Sequence, residues 1–494
     1  MAEGRTRQDA TGGDGVTIFQ GRSKTMSGTE QPVLQRKESV SEAVHSASDG
    51  SKGAPSWLSW FEYPFHVKNP TTQQKLPEAC GWAMDSIGRG PLNQMGGYIG
   101  NAVLLLATRD VGCKSPLNCS NTVLFGLKPS SLLTLVSSVV GVIAALVMPV
   151  IGAVVDHTTH RWMMGAASGF LMVACAGAQI GISQDTWVMA LVFDALQTFV
   201  TLVHTAAVFA YLPDLSLQQD EISHYTSKFN FLQFAGQFVY VSLLILAGEV
   251  RNAETLFAST IQTAQDSAGI AFGFGALFIG YSWTFLFDHR PALSKVPEGS
   301  NLLTTGFVQV GRTAKIVWTK YRALRWFMFS LLWSPEAGAG VVLSIAVTFL
   351  TVQLRFTGQD LAKTLLILMV GNLVGSIFSK YMVRLLNPLN SYRLAMMSLG
   401  ITIAAASGVL ASPEEREAVF GFAFAWGVTM GWVYPSQRVL FCTLTPKGQE
   451  TEFMGLFVRS DSHQLADVYT LLTLVIRSSW VRSSGGYHLL SSRS

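Results

Sequence analysis

The chain has 494 residues with a mean hydropathy of +0.33, and only 13% of them are charged, whereas about a quarter are charged in an ordinary soluble domain. Several apolar runs exceed the roughly 18 residues that a helix needs to cross a bilayer, so the composition excludes an ordinary soluble enzyme. A net charge of +4 gives no basic footprint, and we expect no nucleic-acid partner.

The N-terminal region divides into two segments before the first apolar run. Residues 1–54 are rich in Ser, Gly, Thr and charge without periodic hydrophobic residues, which predicts a disordered cytosolic tail. Residues 55–80 include the stretch SWLSWFEYPFHVK, whose aromatic side chains have charged neighbours. This pattern fits a segment lying in the lipid headgroup region, and it fits a partly packed loop equally well.

Ten apolar segments along the rest of the chain are long enough to be predicted as membrane spans. We therefore predict an N-terminal six-helix bundle (81–287), a loop (288–324) and a C-terminal bundle (325–461) with four clear spans and the start of an eleventh. The predicted spans are 84–108, 131–155, 162–183, 187–211, 229–248, 268–287, 325–352, 361–385, 393–411 and 419–435.

The charges of the loop 288–324 set the predicted orientation. The loop and its edge carry seven basic residues against two acidic ones, Asp288 and Glu298. By the positive-inside rule the loop is cytosolic, and counting back six spans places the N-terminus in the cytosol as well. Six spans, a basic cytosolic loop and further spans are the layout of a two-bundle secondary transporter. The basic residues are Arg290, Lys295, Arg312, Lys315, Lys320, Arg322 and Arg325.

The loop between the second and third predicted spans reads IGAVVDHTTHR. It resembles the loop signature of the major facilitator superfamily, in which a Gly, an Asp four residues later and a basic residue latch the transporter in one of its two states. Gly152, Asp156 and Arg161 occupy these positions. A Gly permits close approach of helices, and an Asp can sit at the positive end of a neighbouring helix dipole. The alternative interpretation is an ordinary charged turn.

The first and seventh predicted spans, which begin the two halves, carry matching helix breakers. Pro91 lies ten residues after Gly81, and Pro335 lies ten residues after Arg325. Because proline removes a helical hydrogen bond, we expect both helices to be interrupted, with freed carbonyl groups facing a cavity. Matching interruptions in matching helices point to a central transport site.

Polar side chains accompany these breaks and form stripes on the first, fourth and fifth spans. Asp85, Arg89 and Asn93 share one helical face, and Glu336 lies inside the seventh span. Ionisable groups inside a membrane are expensive, which makes them candidates for a substrate and proton pathway. The alternatives are a structural pair for Asp85 and Arg89, and helix–helix hydrogen bonds for the stripes. The predicted pathway residues are Asp85, Arg89, Asn93, Asp194, Gln197, Thr201, His204, Gln233, Gln237 and Glu336.

The first predicted non-cytosolic loop holds Cys113 and Cys119, and we predict a disulfide between them. Asn118 opens a glycosylation sequon in the same loop and is a candidate acceptor. The five cysteines show no metal spacing, and the chain has no nucleotide loop and no catalytic Ser, His and Asp set. We therefore expect no cofactor, no metal and no enzymatic activity, and an ATP-driven pump is disfavoured.

The stretch YPSQRVLFCTLTPKGQETEFMGLF, residues 434–457, resembles the most distinctive block of the autophagy-related vacuolar amino-acid effluxers, a branch of the major facilitator superfamily. The stretches GWAMD, LKPSSLL and VFAYLPDL resemble further blocks of that family. The resemblance implies twelve helices in two bundles and export of amino acids from a vacuole or lysosome-like compartment after autophagic breakdown. Physically, the stretch connects the tenth and eleventh spans, where acids can cap the next helix. We predict a gating or structural role for Arg438, Lys447, Glu450 and Glu452.

Residues 462–494 form an atypical tail that departs from this family, because they turn polar and rich in Ser and Arg. We therefore expect an incomplete second bundle, through either a gene-model or splicing artefact or a truncated protein that is expressed. The resulting hypothesis is a multi-pass transporter in the bilayer of the vacuolar membrane, exporting amino acids by alternating access with protons as a coupling partner. Its alternatives are a membrane scaffold or receptor without transport, and a carrier of another small solute such as a sugar.

Overall fold

The computed structural model describes residues 77–113, 119, 121–211, 215, 219–251, 255–290, 292, 301–333, 349–350, 354–410 and 413–444. These residues form helices and connecting turns, with no strand among them, which confirms the predicted all-α class. The predicted tail (1–54), most of the aromatic segment (55–80) and the atypical residues 462–494 lie outside this part of the chain.

The described residues of the N-terminal half form six long α-helices, and the sixth continues through two π-helical turns. The bounds are α1 Pro77–Asp110, α2 Pro129–His157, α3 Arg161–Gln179, α4 Trp187–Phe209, α5 Gln219–Arg251 and α6 Leu256–Phe274, with the π-helical turns Gly275–Ile279 and Ser282–Leu286.

Helix α1 lies at the centre of this half and contacts each of α2 to α6. Most of its 34 residues are buried, although it carries several charged and polar side chains. Glycines permit this packing, because a Cβ added to Gly90 would lie 2.5 Å from the Gln233 carbonyl oxygen of α5. Likewise a Cβ on Gly165 of α3 would lie 1.9 Å from the ring of Trp283. The backbones therefore approach more closely than larger residues would allow.

The C-terminal half is described through four helices: α7 Leu302–Lys320, α8 Arg322–Trp333, α9 Gly358–Val409 and α10 Ala418–Leu444. The 52 residues of α9 are two helices that meet at Asn387, whose φ of 59° and ψ of 162° are not helical. Ser379 and Ser391 both contact the hydroxyl of Ser436, at 3.2 and 3.0 Å. A straight helix would separate these two serines by about 18 Å, so the chain folds back at Asn387.

Six of these helices are long and apolar enough to cross a membrane, and the bent pair 131–144 and 146–157 within α2 makes a seventh span if counted as one. The six are α3, α4, α5, the extended α6, α9 and α10, and the fold-back gives α9 enough length to cross twice. The chain is therefore an integral, multi-pass membrane protein.

The two ends of the bundle are named by their helix termini. The outer side is where α1 ends at Asp110, and the inner side is where α2 ends at His157. The orientation that we predict from the basic residues of the loop 288–324 places the inner side towards the cytosol. The end of α5 meets the beginning of α9 on the outer side, where Lys363 donates to Glu249 at 3.1 Å.

Two main hydrophobic cores hold the described helices together, and a third, smaller one joins α2 to α4. The larger core joins α1 to α6 with the first part of α9, including Leu361 and Met369, so the two halves share it on the outer side. The smaller core joins α7, α8, the second part of α9 and α10 around Tyr392 and Phe441 on the inner side. Within the described chain, the outer side is thus the more continuous junction between the halves.

Glycines bring α9 and α10 into direct backbone contact. A Cβ on Gly375 would lie 2.0 Å from the Val428 carbonyl oxygen, and one on Gly427 would lie 2.1 Å from the Leu368 carbonyl oxygen. Gly371 and Gly431 make the same kind of approach. We call these four glycines the glycine seam, and small residues of this kind are typical of helix contacts in membranes.

The structure corrects three sequence-based expectations about the elements. The sixth span was predicted to begin at 268, but α6 begins at Leu256, because buried side chains such as Thr260, Thr263 and Ser267 face the bundle and not water. The predicted loop 288–324 contains the 19-residue helix α7. Finally, α1 is not interrupted at Pro91, because the helix continues through it.

Candidate functional site

A buried polar cluster joins α1, α4 and the last turn of α6 in the inner half of the molecule. Asp85 Oδ1 lies 2.8 Å from His204 Nε2 and accepts a hydrogen bond from Trp283 Nε1 at 3.0 Å. The guanidinium of Arg89 lies 3.7 Å from Asp85 Oδ2 and over the ring of Trp82. Asp85 and His204 are fully buried and Arg89 is 4% exposed, so the cluster lies out of water.

The second ring nitrogen of His204 fixes how protons are shared in this cluster. Nδ1 lies 3.0 Å from the Gly165 carbonyl oxygen and 3.2 Å from the hydroxyl of Ser168, both on α3. Because a carbonyl only accepts, Nδ1 carries a proton. The contact between Nε2 and Asp85 then requires one further proton, held by either group. The cluster is buried, so it does not face solvent in this structure.

The glutamines of the predicted stripes bind the backbone of α1 around Pro91. Gln197 of α4 donates to the Leu92 carbonyl at 2.9 Å, and Gln237 of α5 donates to the Gly90 carbonyl at 3.3 Å. The carbonyl of Ile87, which loses its helical donor at Pro91, faces the backbone of Gly236, where an added Cβ would lie 2.6 Å away. These groups join helices, and the expectation that this carbonyl faces a cavity was wrong.

Helix α1 is exposed near the middle of its length. Asn93 and Gly97 are exposed although most of α1 is buried, and a Cβ on Gly97 would meet no atom within 4 Å. The carboxylate of Asp194 on α4 borders it, because a Cβ on Gly96 would lie 3.1 Å from Asp194 Oδ1. Asp194 is half-buried, and no ion pair within the described residues includes it. We call Asn93, Gly97 and Asp194 the mid-helix opening.

The remaining polar residues of the two stripes have local roles or lie between the two sites. The hydroxyl of Thr201 donates to the Gln197 carbonyl of its own helix at 2.8 Å. Gln233 is half-buried on α5, and its backbone carbonyl faces Gly90. The predicted pathway is therefore divided between a buried cluster, a set of helix-joining amides and the mid-helix opening. Arg89 belongs to the first of these, which supports the structural-pair interpretation of Asp85 and Arg89.

The predicted latch residues lie at the inner end of α2 and the start of α3. Gly152 and Asp156 belong to the last turns of α2, and both are half-buried. Arg161 opens α3 and is 1% exposed, with its Nη1 donating to the Ala210 carbonyl at 2.6 Å. Its guanidinium also lies over the ring of Tyr211 at 4.6 Å. Arg161 thus ties the start of α3 to the end of α4, and a latch function stays a prediction.

On the outer side, Cys113 and Cys119 form a disulfide with their Cα atoms 5.6 Å apart. Asn118 between them lies outside the described residues, as do Glu336 and Pro335 of the seventh span and Lys447, Glu450 and Glu452 of the C-terminal block. Arg438 lies within α10, and only its backbone is described. The roles of these residues therefore stay predictions from the sequence.

Sequence reasoning missed three partners of the buried cluster, Trp283, Gly165 and Ser168. Tryptophan is common near membrane interfaces, so Trp283 gave no signal of a polar contact. Only the π-helical turn at the end of α6 brings its indole nitrogen to Asp85. Gly165 could have been suspected, because a glycine in an apolar helix often marks a close approach.

The sequence pattern of the family described as "Vacuole effluxer Atg22 like" matches residues 77–276 and 233–463. Among solved structures, a mutant of the nucleoside transporter NupG matches with a TM-score of 0.54 and 13% identity, covering 80% of this chain and 90% of that one. NupG itself matches with a TM-score of 0.52 and 12% identity, covering 80% and 89%. At this identity the likeness shows the fold alone. A search of curated proteins found no match.

Proposed function

The chain belongs to the Atg22-like family of vacuole effluxers, and from this membership we propose that it exports amino acids from the vacuole to the cytosol with protons as the coupling ion. The family and the transporter fold support a membrane transporter of small molecules. The vacuolar location rests on the family description. Amino acids as the substrate rest on the resemblance of residues 434–457 to the amino-acid effluxers.

The observation that carries this proposal is the mid-helix opening. Asn93 is 16 residues from the start of α1, about 24 Å along a helix of about 51 Å, so the opening lies near the middle of the membrane. Substrate sites of two-bundle transporters lie at this depth. Half-buried Asp194, with no ion pair among the described residues, offers a carboxylate to a substrate ammonium or to a proton.

The three groups of polar residues then have different roles. Asp194 and Asn93 meet the solute, the amides of Gln197 and Gln237 hold α1 in place, and the cluster of Asp85 and His204 positions the inner half of α1 against α4. Alternating access opens the outer junction, which is closed in this structure by the shared core, and admits the solute from the vacuole. Glu336 stays a predicted second acid of this site.

Transport in proteoliposomes tests the proposal directly. The purified full chain should accumulate labelled amino acids when a pH gradient is imposed, and Asp194→Asn should abolish that accumulation while leaving exchange across equal pH intact. The reason is that an amide binds a neutral or zwitterionic solute but cannot carry the coupling proton. Asp185→Asn is the matched control, because Asp185 is exposed just before the same helix, α4.

The outcomes separate the parts of the proposal. Equal uptake by wild type with and without the gradient would remove proton coupling but leave the transporter. Uptake of nucleosides or sugars in place of amino acids would replace the substrate, and nucleosides belong in the panel because the similar solved structures are named nucleoside transporters. Absence of transport for every solute, from a folded protein, would favour the scaffold or receptor alternative.

A further inference from the structure

Helix α7, which lies between the last turn of α6 and the start of α8, presents an exposed apolar face. Phe307 and Trp318 are 50% and 62% exposed, and Val308 beside them is 57% exposed. Phe307, Gly311, Ala314 and Trp318 follow a helical spacing of four, three and four residues, so they share one face. An apolar face of this kind on a surface helix requires a cover other than water.

The opposite face of α7 is packed against the protein, which fixes the orientation of the helix. A Cβ on Gly306 would lie 2.0 Å from the Pro149 carbonyl oxygen of α2, and Thr305 is 5% exposed. Near the other end, Val317 belongs to the smaller hydrophobic core with Leu324. The helix therefore rests on both halves of the protein, and its exposed apolar face points away from them.

Basic side chains flank this apolar face. Arg312 is exposed one turn after Val308, and Lys315 is exposed one turn before Trp318. The stretch from 301 to 333 contains five basic residues and no acidic one. Arg325 donates to the Trp318 carbonyl at 3.0 Å, and its guanidinium lies over the rings of Trp318 and Trp326 at 5.1 and 5.5 Å. Aromatic and basic residues together are typical of the boundary between headgroups and acyl chains.

We propose that α7 lies in the inner leaflet surface, where Arg312 and Lys315 bind the headgroups of anionic phospholipids while Phe307 and Trp318 insert among the acyl chains. The inner leaflet of a cytosol-facing membrane is rich in anionic lipid, which complements this charge. The proposal depends on the predicted topology and is independent of which solute the protein carries.

Binding of a fluorescent phosphatidylserine to the detergent-purified full chain tests the electrostatic part. A basic residue at an anionic surface strengthens binding by about fivefold, so Arg312→Gln with Lys315→Gln should weaken binding by about 25-fold. The matched control is Arg109→Gln with Lys128→Gln, which removes the same charge from exposed positions on the outer side. We expect the control to change binding by less than about twofold.

Three outcomes would overturn the proposal. The first is an equal loss in both double variants, which would indicate a general effect of charge. The second is equally tight binding of phosphatidylcholine. The third is equally tight binding of glycerophosphoserine, the headgroup without acyl chains, which would indicate a soluble anion site. All substituted side chains are exposed, so size-exclusion profiles should match wild type.

A second measurement tests insertion of the apolar face. Lipids brominated on their acyl chains quench the fluorescence of tryptophans at the level of the bromine. The difference in quenching between wild type and Trp318→Phe isolates the contribution of Trp318 from that of the other tryptophans. A quenched Trp318 supports the proposal, and a Trp318 component that only an aqueous quencher reaches would contradict it.

Discussion

At the scale of single residues, the carboxylate of Asp85 has the most buried polar partners of any predicted site residue. It accepts a hydrogen bond from Trp283, contacts His204 Nε2 and lies beside Arg89, and all three partners are buried. Buried ion pairs contribute little net stability, but removal of one partner leaves the other uncompensated. The cluster is therefore vulnerable to changes in any one member.

Asp85→Ala should lower the free energy of unfolding by about 3–5 kcal/mol, because it leaves Arg89 and His204 buried without a carboxylate. The thermal midpoint of the detergent-solubilised protein, followed by fluorescence-detected size exclusion, measures the loss. Asp185→Ala is the control, and we expect almost no change because Asp185 is exposed. A midpoint for Asp85→Ala equal to that of the control would show that the cluster does not stabilise the fold.

The types of residue in this site could be predicted from sequence, but their partners could not. Intramembrane charges on α1 and α4 indicated that Asp85, His204 and Asp194 matter. His204 and Asp194 lie ten residues apart on α4, about 15 Å, so they cannot act on one proton together. The contact of His204 with Asp85 and of Asp194 with Gly96 depends on the antiparallel register of α1 and α4, which no residue pattern encodes.

At the scale of helices, the fold-back of α9 concentrates strain at one residue. Asn387 has φ 59° and ψ 162°, a region that is essentially restricted to glycine, and Pro388 follows it. The backbone amide of Asn390 donates only weakly to the Asn387 side chain, at 3.5 Å. The side chain of Asn387 therefore compensates little for the strained backbone.

Asn387→Gly should keep or raise the thermal midpoint, whereas Asn387→Ala should lower the unfolding free energy by about 1 kcal/mol. The physical reason is that glycine adopts this conformation without a clash of its Cβ. The same thermal assay ranks the three proteins, with the expected order Gly, Asn, Ala. An Ala variant at least as stable as the Gly variant would show that the backbone at 387 is unstrained.

The sequence predicted which segments form helices better than it predicted where those helices begin and end. Hydropathy located α2 to α4 within a few residues of the structure. It missed the first turns of α6, whose Ser and Thr side chains bond to carbonyls within the bundle, as Thr263 does to Ser259 at 2.7 Å. It also missed α7, because only one face of this helix is packed. Its basic residues lower the mean hydropathy of the window to the level of a polar loop.

At the scale of the whole molecule, the junction of the two halves on the outer side is closed. A Cβ on Gly358 of α9 would lie 2.7 Å from the Cβ of Thr263 on α6. The side chain of Gln359 fills the space beside Gly248 of α5 in the same region. Alternating access requires these contacts to separate in each transport cycle.

A Gly358→Cys chain that also carries Thr263→Cys should form a disulfide after oxidation, because the two Cβ positions are within reach of one after a small shift. Transport should then fall to background and recover on reduction. The single variants and reduced wild type are the controls, since the reductant also reaches Cys113 and Cys119. Undiminished transport from fully cross-linked protein would show that the outer junction does not open.

The two-bundle plan could be predicted from span count and charge, since both follow from local composition. The conformation could not, because open and closed states share one sequence and differ by only a few kcal/mol. The shared outer core and the separate inner core are properties of packing between distant elements.

The glycine seam limits where a solute can travel through the C-terminal half. Along the seam, the backbones of α9 and α10 leave less than the width of a methyl group between them. Neither a row of water molecules nor an amino acid can pass between these two helices. Any permeation route therefore runs along another face of these helices. We expect the first part of α9 and α10 to move together as one rigid body when the protein changes conformation.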